Sequence, residues 1–105
     1  MDYLAAANIS VPNTWEDMVE FAHILYSTDF NGDGTADYAI CWQLTNCTWD
    51  GQITTSQILA TMTQTTGPRT GFIWDPENME LLGGAAAMTR TMELIQELLP
   101  YSAKS

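Results

Sequence analysis

The chain has 105 residues, which suits one domain or part of one and is too short for two lobes around a cleft. Hydrophobic residues make up 46% of it, enough to argue against disorder. Thirteen acids stand against Arg69, Arg90 and Lys104, a net charge of −10 that argues against nucleic-acid and anionic-membrane surfaces and leaves cations and neutral polar ligands as partners.

No apolar run approaches the roughly 18 residues that a membrane span needs. Residues 1–10, MDYLAAANIS, open with an acid and carry no basic n-region, so no signal peptide is read there. The expectation is a piece of a longer protein. Residues 3–7 can form a helical turn or two, and Pro12 ends any continuation. Thr14 is a good N-cap, and Glu16 and Asp17 fall in the first turn, where carboxylates favour the helix dipole. Trp15, Met18, Val19, Ala22, Leu25 and Tyr26 recur at helical spacing, which predicts a helix over 14–27 with that stripe in a core. His23 is expected on its surface.

Residues 28–37, TDFNGDGTAD, form a polar, glycine-bearing loop. Residues 38–42, YAICW, read as a short buried strand. Residues 43–52 read as loop. Ile53, Ile58, Leu59 and Met62 support a helix at about 54–65, which Gly67-Pro68 stops. Residues 71–75 suggest a second short strand, and Asp75-Pro76-Glu77-Asn78 a turn. The last helix is expected over 84–99, with Ala85, Met88, Met92, Ile95 and Leu99 on its inner face and Leu98 beside them. Pro100 terminates it. The class read from this order is α/β, helix-rich with short strands. The strands are too few for an independent sheet and are expected to pair with chain outside this segment.

The acidic loop carries the sharpest signal. Asp29-Phe30-Asn31-Gly32-Asp33-Gly34-Thr35-Ala36-Asp37 matches D-x-N-x-D-G-x-x-D. Calcium takes six to eight oxygens, and spacing by two lets a tight loop turn successive side chains inward. Asp29, Asn31 and Asp33 would be side-chain ligands, and Gly34 would permit the sharp turn. Thr35 would give its carbonyl, and Asp37 would bind directly or through water. The bidentate Glu of a full EF-hand is missing, because Ile40 stands at its place. The plain alternative is a turn, since Asn-Gly and Asp-Gly need no metal.

Cys41 and Cys47 with a single histidine, His23, are too few for a zinc site. A catalytic Cys–His pair has no supporting motif. A short-loop disulfide and two buried thiols are the remaining alternatives. The sequons Asn8-Ile9-Ser10 and Asn46-Cys47-Thr48, beside a close Cys pair and few lysines, lean towards an extracellular, eukaryotic setting with glycosylation at Asn8 and Asn46, although a disulfide at Cys47 would hinder it at Asn46.

Val11-Pro12-Asn13-Thr14-Trp15-Glu16-Asp17-Met18 resembles the P-x-T-W-[DE]-E-L helix start of bacterial extracellular solute-binding proteins of family 1. These are the maltose-binding-like sugar receptors of ABC importers. The similarity continues through Asp29–Gly34 and Asp37-Tyr38-Ala39-Ile40, then Thr66-Gly67, Phe72-Ile73-Trp74-Asp75, and Ala87-Met88 opening a helix to Tyr101. The resemblance implies that residues 1–105 are a single segment of the second lobe of a two-lobed, periplasmic-binding-protein-like α/β fold. It implies a non-enzymatic role in binding a small polar solute, with a carbohydrate as the expected class. The remaining lobe of the same polypeptide and a membrane transporter are the implied partners. The Cys pair, the sequons and the scarcity of Lys depart from the bacterial pattern. They resemble instead the receptor ectodomains of this type found in green-algal nucleotide cyclases, where the partner is an effector domain. By analogy with the family, Trp42, Gln43, Asn46, Trp49 and Asp50 are ligand candidates, the indoles for stacking and the others for hydroxyls. The favoured reading of Trp42 is that it finishes a buried strand, Trp49 can equally anchor the loop onto the core, and Trp15 and Trp74 are assigned to packing. A hydrolase using Asp50 and Asp75 is ranked last, for want of a nucleophile elbow or a paired-carboxylate context.

Overall fold

The computed structural model describes residues 3–42, 50–64, 67 and 71–103. They form four α-helices: α1 (Tyr3–Ala7), α2 (Trp15–Leu25), α3 (Asp50–Thr63) and α4 (Ala85–Leu98). A 3-10 turn, Leu99–Tyr101, follows α4 directly, with Pro100 inside it. The described chain is helix-rich. The chain divides into two units, residues 1–42 with 96–105 and residues 43–95.

The first unit is built on α2, whose start follows from four residues. Thr14 Oγ1 accepts the Asp17 N–H at 3.0 Å, and Asp17 Oδ2 accepts the Thr14 N–H at 3.0 Å. This reciprocal pair satisfies two N–H groups that a helix end leaves without partners. Asp17 Oδ2 also takes the Asn13 N–H at 3.0 Å. At the other end Tyr26 leaves helical geometry, and Ser27 adopts a left-handed φ of 68° that turns the chain towards the acidic loop. Ala22, Ile40 and Leu98 form the core of this unit, with Trp15, Met18, Val19, Ala39, Trp42 and Tyr101 packed against it. Five of the six residues in the expected α2 stripe are buried or half-buried. Tyr26 is exposed, with its ring edge-on to Tyr101 at 5.3 Å. His23 is exposed as expected.

The two expected strands are reduced to single bridges. Ile40 pairs in parallel with Ser102, through Ile40 N–H to Tyr101 O at 3.2 Å and Ala103 N–H to Ile40 O at 3.0 Å. Trp74 pairs antiparallel with Leu81 across the turn at residues 76–78. Among the described residues no longer ladder forms. A strand needs a neighbour along its whole length, and each of these segments finds one for a single residue pair.

In the second unit α3 begins four residues earlier than expected and takes in Asp50-Gly51-Gln52, which the sequence suggests as loop. Ile58 and Leu59 are buried, but Ile53 is 47% exposed and Thr54 occupies the buried position beside it. The face of α4 is also turned by one residue from expectation. Thr91, Leu94 and Leu98 are fully buried, whereas Met92 and Leu99 are exposed. Thr91 can lie inside because its hydroxyl donates to Ala87 O at 2.8 Å, one turn back, and so carries its polar group satisfied into the core. Trp74, expected to pack, is half exposed.

Candidate metal site

The acidic loop sits between α2 and the Ile40 bridge, and its backbone wraps around its own carboxylates. Asp29 Oδ1 accepts the Gly32 N–H at 2.7 Å and the Asp33 N–H at 3.2 Å. Asp29 Oδ2 accepts the Gly34 N–H at 2.9 Å. Three consecutive amides converging on one carboxylate require a tight reversal, and Gly32 and Gly34 supply it at left-handed φ values of 78° and 85°. Asn31 Oδ1 accepts the Asp33 N–H at 2.8 Å, and Asp33 Oδ1 accepts the Thr35 N–H at 2.8 Å. Asn31 also donates its side-chain N–H to Asp33 Oδ2 at 3.0 Å. The loop is closed across its ends. Asp37 N–H reaches Thr28 O at 3.0 Å, and Asp37 Oδ2 accepts the Phe30 N–H at 2.9 Å.

This bonding keeps the loop anionic. The Gly34 N–H, followed by those of Gly32, Asp33 and Asn31, holds the Asp29 carboxyl below the usual aspartate range. Asp33 is held down by the Thr35 N–H and then by the Asn31 side chain. Amide dipoles aimed at a carboxylate stabilise its charged form.

The donor chemistry suits a hard cation. Each carboxylate oxygen has two lone pairs. Asp29, Asn31 and Asp33 thus offer side-chain oxygens that already accept hydrogen bonds from the loop itself. The convergence is incomplete, however: among the described residues no three His, Cys, Asp or Glu side chains stand grouped for one metal ion. The hydrogen bonds themselves are those of a self-satisfied turn. Oxygen ligands come from the residues that the sequence singles out, but they would have to draw inward to form a shell.

The ligand candidates fare differently. Gln43, Asn46 and Trp49 lie outside the described residues, as does Cys47, the expected disulfide partner. Asp50 is described only as the first residue of α3. Trp42 packs on the first unit's core, and its N–H donates to Ser102 Oγ at 3.2 Å, in keeping with the packing alternative. Cys41 is exposed, which counts against a buried thiol there. Asn8 is exposed at a left-handed φ of 54°, so its side chain is accessible.

A small groove of about 280 Å³ in the second unit escaped the sequence reading. Gln52, Thr55 and Ser56 from the first turns of α3 line it together with the apolar Leu59, Phe72, Ile73 and Met88. A mostly apolar groove with an amide and two hydroxyls is a lining that small ligands with a few polar groups use. The signal was present in Gln52, Thr55 and Ser56, which share a face only once α3 is known to start at Asp50.

No helix among the described residues is long and apolar enough to cross a membrane. Comparison with family models, with curated proteins and with solved structures finds no match to this chain.

Proposed function

We propose that the chain is a segment of a non-enzymatic, extracellular or periplasmic binding module for a small polar solute, with a carbohydrate as the ligand class. In this reading residues 1–105 belong to the second lobe of a two-lobed α/β fold, and later chain completes the sheet. Calcium is a structural ion of the Asp29–Asp37 loop. The observation that supports the calcium assignment is the alternation of oxygen-bearing Asp29, Asn31, Asp33 and Asp37 in one loop, with the Asp29 and Asp33 carboxyls held below the usual aspartate range. Calcium would supply the positive charge that lets Asp29, Asp33 and Asp37 share one turn. The groove beside Gln52, Thr55, Ser56 and Phe72 supports the neutral polar ligand class.

The receptor-ectodomain reading keeps the same chemistry and exchanges the transporter for an effector domain. The exposed Asn8 of the first sequon favours it, because an accessible asparagine is what glycosylation requires.

Titration calorimetry of the chain with Ca²⁺ and Mg²⁺, beside an Asp33→Ala variant, tests the assignment. Calcium is expected to bind once and in preference to Mg²⁺, because an adaptable oxygen cage suits the larger ion. The variant is expected to lose most of that heat. Identical calcium titrations for the two proteins would remove the metal from the account.

A further inference from the structure

A groove of about 670 Å³ in the first unit adjoins the acidic loop and shares Asn31 and Asp37 with it, but its other lining has no part in the calcium site proposed above. Leu4 of α1, Met18 and Phe21 of α2, and Phe30 and Tyr38 at the two ends of the acidic loop line it. Among the described residues its polar side chains are Asn31, Asp37 and the hydroxyl-bearing Tyr38. Asp37 Oδ2 accepts the Phe30 N–H at 2.9 Å, which ties the carboxylate to the backbone of another lining residue. The volume falls in the range of small-molecule sites, roughly 300–1,000 Å³.

Charge decides what this groove can hold. Its described lining falls within residues 1–42, which contain the acids Asp2, Glu16, Asp17, Glu20, Asp29, Asp33 and Asp37 and no Lys or Arg; the rest of the unit adds Glu97 and Lys104. An anionic occupant would meet the Asp37 carboxylate and the net negative charge of this unit. A cation would be attracted by the carboxylate and by the electron-rich faces of Phe21, Phe30 and Tyr38. We infer that this groove binds a small amphiphilic cation, with its apolar body against Leu4, Met18 and Phe21 and its ammonium group among Asp37, Phe30 and Tyr38.

The test is an amide-resolved NMR titration of the whole chain with hexyltrimethylammonium, in chelator so that no metal competes for Asp37. Hexanol serves as the uncharged comparison and tetramethylammonium as the cation without a body. The amides of Phe30, Asp37 and Tyr38 are expected to shift saturably with hexyltrimethylammonium. Its affinity is expected to exceed that of hexanol by about five-fold, the ratio that one exposed cation–π contact provides. Tetramethylammonium is expected to give weak, unsaturated shifts. Tyr38 is half exposed, so Tyr38→Ala leaves the core intact, and it is expected to weaken binding by about the same five-fold. Trp74→Ala, in the other unit, is expected to change nothing. Absence of saturable shifts, equal affinity for hexanol, equal affinity for tetramethylammonium, or indifference to Tyr38→Ala would each overturn the inference.

Discussion

Asp29 and Asp33 owe their character to backbone geometry rather than to neighbouring charge. No cation pairs with either in the loop; amides do the work. Their folded carboxyls lie below the ordinary aspartate value of about 4. The sign follows from linkage. A depressed folded value means that the ionised form is favoured by the fold, so the stabilisation is present above about pH 4 and is lost as pH falls through the folded values. Protonation also relieves the self-repulsion of a chain at −10, which acts in the opposite direction. The clean readout is therefore each side chain's own titration. Carbon-detected NMR in chelator is expected to place the midpoints of Asp29 and Asp33 below that of an unstructured aspartate; midpoints at or above it would mean that the amide cage does not form. Asp17 belongs with them, held down first by the Asn13 N–H and then by Thr14. Cys41 makes a separate prediction. If the protein occupies an oxidising compartment, its exposed thiol and Cys47 are expected to form a disulfide, worth about 2 kcal/mol for so short a loop in the chain-entropy model. Unreduced mass spectrometry would show two fewer hydrogens, and two free thiols in protein from that compartment would contradict it.

At the scale of elements, the helices divide by how local their causes are. The start of α2 is legible in the sequence because Thr14 and Asp17 complete the capping box within four residues. The acidic loop is legible for the same reason, since alternating oxygens and two glycines determine its turn. The inner face of α4 is not legible. Counting apolar residues selects Met88, Met92 and Ile95, whereas the fold buries Thr91 and Leu94. A threonine that bonds back to its own helix is polar in composition and apolar in effect, and no hydrophobic count sees it. Of the two expected strands, 71–75 keeps a local bridge, Trp74 with Leu81, whereas the pairing of 38–42 is non-local. Ile40 pairs with Ser102, far along the chain, and nothing near Ile40 announces that partner. Substitution separates the two assignments of α4. Leu94→Ala is expected to cost about 2–5 kcal/mol, as for other fully buried leucines. Met92→Ala, at an exposed site, is expected to cost about 0.5 kcal/mol or less. Thermal or urea unfolding reads both, and the reverse order would restore the Met92 face.

At the scale of the whole molecule, the fully buried side chains among the described residues are few and the exposed apolar ones are large. In the first unit Val11, Ile24, Tyr26, Tyr38 and Leu99 are exposed; in the second, Ile53, Ile73, Trp74, Met79, Leu81 and Met92. Surfaces of this kind favour self-association. Among the described residues two single bridges stand in place of a sheet, and an isolated pair of short strands is marginal in water. The proposed calcium site and the proposed half-lobe then meet in one property, stability. A metal that binds the folded loop and not the unfolded chain must raise the melting temperature by mass action. Thermal melting of residues 1–105 at several protein concentrations, with calcium and with chelator, is thus the most direct measurement. The account expects a low transition that depends on concentration and rises when calcium is added. A sharp, concentration-independent transition at high temperature, unchanged by chelator, would contradict both the half-lobe and the calcium loop.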